Sequence, residues 1–220
     1  MTTIQLTDAA IGSGLGAPVP ALTATVAPGV PAVLAVETDE RPLLVSMLLG
    51  GRIKPDSGTV TIDGSADLDE LRHHTALVDT PFVAEPAPGI SLGIVVAEEL
   101  SFSGRSAARQ SVRSFLADHD LADYAKIEVR ALPPASRVRI FSELALLRDG
   151  VDTIILTSPE RHGGEPGEWF DYLSSVAARG ITVVIVTDAL TRTKLLSLGA
   201  TDATAPAIAS APTPSESSAS

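Results

Sequence analysis

The stretch that runs from Gly50 to Gly64 constrains the fold of this chain most strongly. It reads Gly-Gly-Arg-Ile-Lys-Pro-Asp-Ser-Gly-Thr-Val-Thr-Ile-Asp-Gly. Pro55 cannot continue a helix and Gly58 can take a positive φ, so the Lys-Pro-Asp-Ser-Gly segment is predicted to be a turn. Apolar residues at helical spacing predict a helix before it, over 40–49, and β-branched residues predict a strand after it, over 59–62. The stretch therefore closes a helix and opens a strand.

Composition limits the class of protein. A chain of 220 residues that is 45% hydrophobic has room for one α/β domain with a sizeable core and an inserted subdomain. The net charge of −11 argues against nucleic acid or an anionic membrane surface as the main partner, since both need a basic face. The chain has no cysteine, which excludes disulfides, a thiolate nucleophile and cysteine-ligated metals.

Two further features indicate a cytosolic protein. The first basic residue is Arg41, so no signal or transit peptide is evident. The longest apolar runs, such as 181–186, are strand-sized and far shorter than a membrane span. We therefore expect a cytoplasmic chain with no direct membrane insertion.

The pattern of apolar residues predicts a mixed α/β order of elements. β-Branched segments in the first 36 residues predict a small β-subdomain. Further along, continuous apolar strands at 153–157 and 181–187, joined by a helix at 168–179, predict a parallel βαβ unit. The other predicted elements are strands at 4–6, 21–26, 32–36 and 75–78, helices at 68–73, 135–148 and 189–198, and a mainly helical segment at 90–124.

In element order and in three segments the chain resembles the nucleotide-binding domains of ABC transporters. The segments are 50–64, 152–159 and 180–187. The resemblance implies a P-loop-NTPase-like, ABC-type α/β fold: a three-layer core with the small N-terminal β-subdomain and an inserted helical subdomain at about 82–132. The domain would span 1–200, and 201–220, rich in Ala, Pro, Ser and Thr, would be a disordered tail.

The phosphate-binding loop of that family is absent from the sequence. The family motif G-x-x-x-x-G-K-[ST] cradles phosphates with backbone N–H groups, a lysine and a metal-binding hydroxyl. Counted back from Lys54, it falls on 36–44, where no glycine remains. Pro42 stands at the lysine position, and Leu43 and Leu44 stand at the hydroxyl positions.

Three acids lie in the same loop: Glu37, Asp39 and Glu40. Each would face a polyphosphate, and one pair of like charges at about 4 Å costs on the order of 4 kcal/mol at an effective dielectric near 20. Asp39 as N-cap and Glu40 in the first turn would instead satisfy the start of the following helix. These residues indicate a helix start rather than a phosphate site.

The remaining family motifs are altered as well. Where the family has Leu-Ser-Gly-Gly-Gln, this chain has Leu-Pro-Pro-Ala-Ser at 132–136. Two prolines remove two N–H donors that would contact a γ-phosphate. The other substituted positions are Thr157 and Ser158 for the metal-organising Asp and catalytic Glu, Asp188 for the switch histidine, and Thr80 for the metal-contacting Gln.

The sequence near these motifs also contains two arginines, a histidine and a pair of aromatic residues. Arg137 and Arg139 follow the altered segment and are predicted to be solvated helix charges. His162 lies in a loop after a strand and has no recognisable partner. Trp169 and Phe170 form an aromatic cluster that is interpreted as packing of the crossover helix or, alternatively, as a docking surface.

The leading hypothesis is an ABC-type nucleotide-binding-domain homologue that does not hydrolyse ATP. It would act as a structural or regulatory partner of a membrane permease or of a competent ATPase subunit, with a homodimer as a further assembly. In the family, the region from Pro81 to Phe102 receives the permease. No catalytic, cofactor-binding or metal-binding residue is assigned under this hypothesis, and no cofactor is expected.

Two other hypotheses stay open. The first is an active ABC-type ATPase that energises transport with non-standard residues, Arg41 on phosphate and Glu160 as general base, using ATP and Mg²⁺. The second is a free-standing α/β binding module, which an apolar pocket at the carboxyl ends of 154–157 and 182–187 would favour.

Overall fold

The computed structural model describes residues 2–36 and 41–204. The acids Glu37, Asp39 and Glu40 and the tail from 205 to 220 lie outside the described residues. The strands are β1 (Ile4–Ile11), β2 (Val19–Val26), β3 (Ala32–Ala35), β4 (Ser57–Ile62), β5 (Thr75–Val78), β6 (Thr153–Thr157), β7 (Thr182–Thr187) and β8 (Thr201–Asp202). The helices are α1 (Arg41–Leu49), α2 (Leu68–His74), α3 (Leu92–Phe102), α4 (Arg109–Asp118), α5 (Pro134–Ala145), α6 (Pro166–Ala178) and α7 (Ala189–Ser197).

A five-stranded parallel sheet in the order β5-β6-β7-β3-β8 forms the centre of the fold. Every residue of β6 and β7 is buried, which explains their continuous apolar sequence. The two strands pair with Ile155 opposite Val184. The predicted βαβ unit is confirmed, with α6 as the crossover helix.

Helices and a second sheet cover both faces of the parallel sheet. Val183 and Ile185 point to a core shared with α5, α6 and the helices of the insertion. Val184 and Val186 point to a core shared with α1, α2 and the N-terminal strands. Trp169 on α6 is fully buried in the first core, so the core-packing interpretation of the aromatic cluster holds. This is the predicted three-layer α/β arrangement.

The N-terminal strands form an antiparallel sheet in the order β2-β1-β4. The pairing of β1 with β4 is irregular between Thr7 and Ala10, next to Asp8, whose φ is +47°. β4 begins at Ser57, two residues before the predicted start, so Gly58 lies inside the strand. A β-bulge of this kind re-aims the chain at the end of a pair.

The segment 82–132 contains α3, α4 and two 3₁₀ turns, Ala122–Tyr124 and Val129–Ala131. Apolar residues of α3 and α4 continue the core formed by α5 and α6. Val112 and Leu116 are buried and Phe115 packs against the same core, so α4 buries one apolar face.

The ordered chain continues past the predicted domain boundary at residue 200. β8 (Thr201–Asp202) pairs in parallel with β3, and the buried Ala203 accepts a backbone hydrogen bond of 2.8 Å from Thr25 of β2. Residues 201–204 therefore belong to the fold and not to the tail. Their short side chains gave no periodic signal, and β3 and β2 supply the pairing that orders them.

Replacement of Gly58 by alanine should destabilise the protein. Gly58 has a φ of +72°, and a Cβ there would lie 2.2 Å from the carbonyl oxygen of Asp8. We expect a loss of about 3 kcal/mol in the free energy of unfolding, measured by urea denaturation. Gly89→Ala is the control, because Gly89 has open space around its Cβ position. Equal stability of the two variants would contradict this account.

Candidate functional site

The carboxyl edge of the parallel sheet is where open α/β folds usually bind their ligands. β3, β6 and β7 end there, at Ala35, Thr157 and Thr187. The loop from 37 to 40, between β3 and α1, lies outside the described residues. The site is therefore built from the groups around the ends of β5, β6 and β7 and from α1.

Three buried hydroxyl groups form a hydrogen-bonded chain at this edge. Thr157 Oγ1 donates to Ser46 Oγ on α1 at 2.8 Å. It also shares a hydrogen bond of 2.8 Å with Thr80 Oγ1, just after β5. All three residues are almost completely buried. These neutral groups satisfy one another, so this position supplies no anionic ligand for a divalent cation.

Arg41, the residue that the active-ATPase hypothesis placed on phosphate, is bound to the turn between β1 and β2. Its Nε donates to the carbonyl of Pro18 at 2.9 Å, and one terminal nitrogen contacts the carbonyl of Ala17 at 3.4 Å. The guanidinium thus has backbone acceptors within the N-terminal sheet.

Glu160, the proposed general base, lies in the 3₁₀ turn Pro159–His162, directly after β6. Burial raises the pKa of its carboxyl, and the nearby Asp188 carboxylate adds to this effect. Within the described part of the chain, Glu160 Oε2 is buried and has no hydrogen-bond partner. Ser158 enters this turn with a φ of +46°, an uncommon conformation for serine. The turn directs Glu160 toward the ends of β6 and β7.

Replacement of Glu160 by glutamine should stabilise the protein at alkaline pH. The pKa of Glu160 is raised in the folded state, so its ionisation costs stability once the pH exceeds its unfolded pKa of about 4.3. We expect Glu160→Gln to raise the melting temperature at pH 8 by about 2 °C and to have no effect near pH 4.

Glu98→Gln on α3 is the control for this experiment, because Glu98 is exposed. Differential scanning fluorimetry of the three proteins across pH 4 to 8 gives the comparison. A lower melting temperature of Glu160→Gln at pH 8 would contradict the assignment, because it would mean that the ionised carboxylate stabilises the fold.

The switch-histidine and signature positions have structural roles. Asp188 caps α7, and its carboxylate accepts a hydrogen bond of 2.6 Å from the backbone N–H of Thr191, as predicted. Pro134 is the first residue of α5 and Pro133 precedes it. Proline is favoured at the first position of a helix, where its missing N–H would have no partner in the helix.

Arg137 is buried, contrary to the prediction of a solvated helix charge. Its Nε and a terminal nitrogen donate to the two carboxylate oxygens of Asp79, each at 2.7 Å. The side chains of Arg137 and Asp79 are 5% and 11% exposed. The prediction failed because the partner, Asp79, is 58 positions away along the chain. Arg139 is half-buried: it lies over the ring of Tyr172, donates to the carbonyl of His119 at 3.3 Å and lies 3.4 Å from Asp120.

Three more side chains join this pair. Arg161 lies 3.4 Å from both Asp79 and Glu85, and His162 Nε2 lies 2.9 Å from Asp79 Oδ2. Burial alone would raise the pKa of Asp79. The contacts with His162, Arg137 and Arg161 outweigh burial and hold that pKa below its ordinary value.

Asp79, Glu85 and His162 each offer a ligand atom, and these atoms lie within 4.8 Å of one another. Two guanidinium groups contact the same carboxylates, so a divalent cation here would be repelled by both. The cluster is therefore an ion-pair network. His162, which had no recognisable partner in the sequence, belongs to it.

The region from Pro81 to Phe102 presents apolar side chains to solvent. Phe82 is 97% exposed and has a φ of +61°, and Phe102 is 72% exposed. Val83 and Ile94 are also exposed. A cavity of about 250 Å³ adjoins this surface, lined by Val83, Pro86 and Val95 together with Leu77, Phe141 and Leu144 of the core.

Sequence reasoning singled out Thr80, Thr157 and Glu160 by counting from family motifs, and the structure places all three around the ends of β5 and β6. It did not find Ser46 or Asp79. Ser46 is a polar residue on the otherwise apolar helix α1, and this was the one signal that could have marked it as hydrogen-bonded inside the core.

Comparison with solved structures identifies the class of fold. No family model and no curated protein matches the sequence. A nucleotide-free ATP-binding cassette from an ABC transporter superposes with a TM-score of 0.63 at 16% identity, over 86% of this chain and 83% of that chain. The dimeric structure of MJ0796, a bacterial ABC transporter cassette, gives 0.64 at 18% identity, over 87% and 90%. A putative ABC transporter ATP-binding protein from Pyrococcus furiosus gives 0.62 at 14% identity, over 84% and 91%.

The chain therefore has the fold of the ATP-binding cassettes of ABC transporters, as the resemblance in the sequence implied. The identities are low, so the comparison establishes the fold. Within residues 2–36 and 41–204, no helix has the length and apolar character needed to cross a membrane.

Proposed function

We propose that this chain is a non-hydrolytic ABC-type subunit that serves as a structural or regulatory partner of a membrane permease or of a competent ATPase subunit. The observation that carries the proposal is the hydroxyl chain of Ser46, Thr157 and Thr80. In the family the last two positions hold the metal-organising Asp and the metal-contacting Gln. Here they are buried, neutral and bonded to each other.

The charges around the edge of the sheet support the same conclusion. Arg41 is bound to the carbonyls of Pro18 and Ala17, so the cation nearest the altered phosphate loop already has acceptors. Burial raises the pKa of Glu160. A raised pKa suits a general base, so Glu160 is the one residue that favours the active ATPase as a second candidate function.

Titration with Mg-ATP separates the two candidates. For the full-length chain we expect no binding at micromolar concentrations by isothermal titration calorimetry, because the metal position lacks a carboxylate and the phosphate loop lacks its glycines and lysine. A catalytically competent ABC cassette is titrated in parallel as the positive control. Micromolar binding of Mg-ATP, reduced in the Arg41→Ala variant, would overturn the proposal in favour of the active ATPase.

The exposed apolar side chains between Pro81 and Phe102 support the proposal that a partner protein binds at this surface. Exposed phenylalanines are costly in water, and Phe82 keeps a strained backbone conformation while its ring is exposed. The adjoining cavity is lined both by apolar side chains and by the charged side chains of Arg52, Asp79, Glu99 and Arg148. A lining that combines apolar and charged groups fits an amphipathic helix of a partner protein.

We assign this surface to a cytoplasmic helix of a multi-span permease, which would hold the chain at the inner face of the membrane. A competent ATPase homologue, or a second copy of this chain, would bind instead at the carboxyl edge of the parallel sheet. One of the solved structures with this fold is dimeric. A free-standing binding module is less favoured, since the cavity described above lies beside β5 and α5 rather than at the ends of β6 and β7.

Co-purification from the native host tests the partner. The tagged full chain should recover a multi-span membrane protein that mass spectrometry identifies as a permease, and the Phe82→Ser/Phe102→Ser variant should recover at least about tenfold less of it. Leu15→Ser is the matched control, because Leu15 is fully exposed but lies in the turn between β1 and β2. A chain that purifies alone, or equal recovery by the double variant, would contradict the assignment.

A further inference from the structure

The helical insertion joins the rest of the protein through a narrow neck made of residues 85–93 and 125–130. Backbone hydrogen bonds tie the two arms of the neck together. Val129 donates to Ile90 at 2.9 Å, and Arg130 donates to Pro88 at 3.0 Å. Gly93 donates to Ala125 at 2.9 Å, and a Cβ at Gly93 would lie 2.8 Å from that same carbonyl oxygen. The two arms therefore form one unit.

The guanidinium of Arg137 connects both arms of this neck to the central sheet. Arg137 holds the Asp79 carboxylate, at the end of β5, through its Nε and one terminal nitrogen. Its other terminal nitrogen donates to the carbonyl of Val129, in the second arm, at 3.1 Å. The terminal nitrogen that contacts Asp79 also lies 3.4 Å from Glu85 Oε1, in the first arm. Both arms and the sheet meet at this one side chain.

Arg161 reinforces the junction from the other side. It donates to the carbonyl of Thr157, at the end of β6, at 2.5 Å, and to the carbonyl of Asp79. It also lies 3.4 Å from Glu85 Oε1. Arg161 thus contacts both the strand ends and the first arm of the neck.

Apolar contacts between the insertion and the core, such as those of Leu92 and Val96 with the cluster around Phe141, do not by themselves fix an orientation. Such contacts are non-directional and tolerate small rotations. A bidentate ion pair between a planar guanidinium and a carboxylate is directional, and in a buried place it is not exchanged for water. The ion-pair network is therefore the buried directional part of the junction, and Arg139 with His119 and Arg148 with Glu99 add more exposed contacts.

We infer that Asp79, Glu85 and Arg137 form a latch that fixes the orientation of the helical insertion relative to the parallel sheet. The latch does not depend on whether the chain binds nucleotide or a permease. Asp79 also lines the cavity beside the exposed Phe82 surface, so the latch lies where an occupant of that cavity would contact it.

Hydrogen–deuterium exchange of the full chain tests the latch. The Asp79→Asn/Arg137→Met variant removes the directional contacts of Arg137, and Glu85 keeps Arg161 as its partner. Methionine keeps much of the arginine stem. We expect exchange in the neck, α3 and α4 to rise at least about tenfold, while the amides of β6 and β7 keep their protection.

Arg130→Met is the matched control, because Arg130 lies in the neck itself and its ion pair with Glu128 is local and exposed. Exchange in the double variant that equals this control would overturn the latch. So would a rise that is uniform across the insertion and the sheet, since that pattern means general loss of stability.

A milder variant keeps the test decisive if the double variant does not fold. Arg137→Lys retains the charge and loses the bidentate fork, so it should loosen the neck to a smaller extent.

Distance measurement between paired spin labels tests this milder variant. The chain has no cysteine, which permits labels at Ser114→Cys on α4 and Ser197→Cys on α7. The distance distribution between the labels should be narrow in the otherwise unchanged chain and broader with Arg137→Lys. Identical distributions would overturn the latch.

Discussion

The parallel pairing of β6 with β7 is the interaction on which the rest of the structure depends. Both strands are buried along their whole length, and their side chains alternate between two apolar cores. Each face of the sheet must therefore be covered, by α5 and α6 on one side and by α1 and the N-terminal sheet on the other. Parallel pairing also brings the strand ends to one edge, which places Thr157 beside Thr80 and Ser46.

That edge and the junction next to it are organised in opposite ways. At the edge, the neutral hydroxyls of Ser46, Thr80 and Thr157 bond to one another. At the junction, Asp79 and Glu85 are paired with Arg137 and Arg161. Buried charges persist only when they are paired and hydrogen-bonded, and here the pairing also joins the helical insertion to the parallel sheet.

Local sequence patterns predicted most of the helices and strands of the fold. Strand β6 was placed to the residue and β7 to within one residue, because two-sided burial produces an uninterrupted apolar run. The cap of α7 followed from one aspartate. The start of β4 and the strand β8 were missed, because a bulge at Asp8 in β1 and pairing with β3 decide them. Neither partner is adjacent in sequence.

The sequence by itself determined the α/β class and the order of elements, because periodicity and turn signals are properties of neighbouring residues. Tertiary structure alone decided the environments of the polar side chains. Arg137 was expected in solvent and is buried, and His162 had no partner and contacts Asp79. The physical reason is that the free energy of a buried charge depends on the groups that the fold brings around it, and those groups come from β5, the neck and the turn after β6.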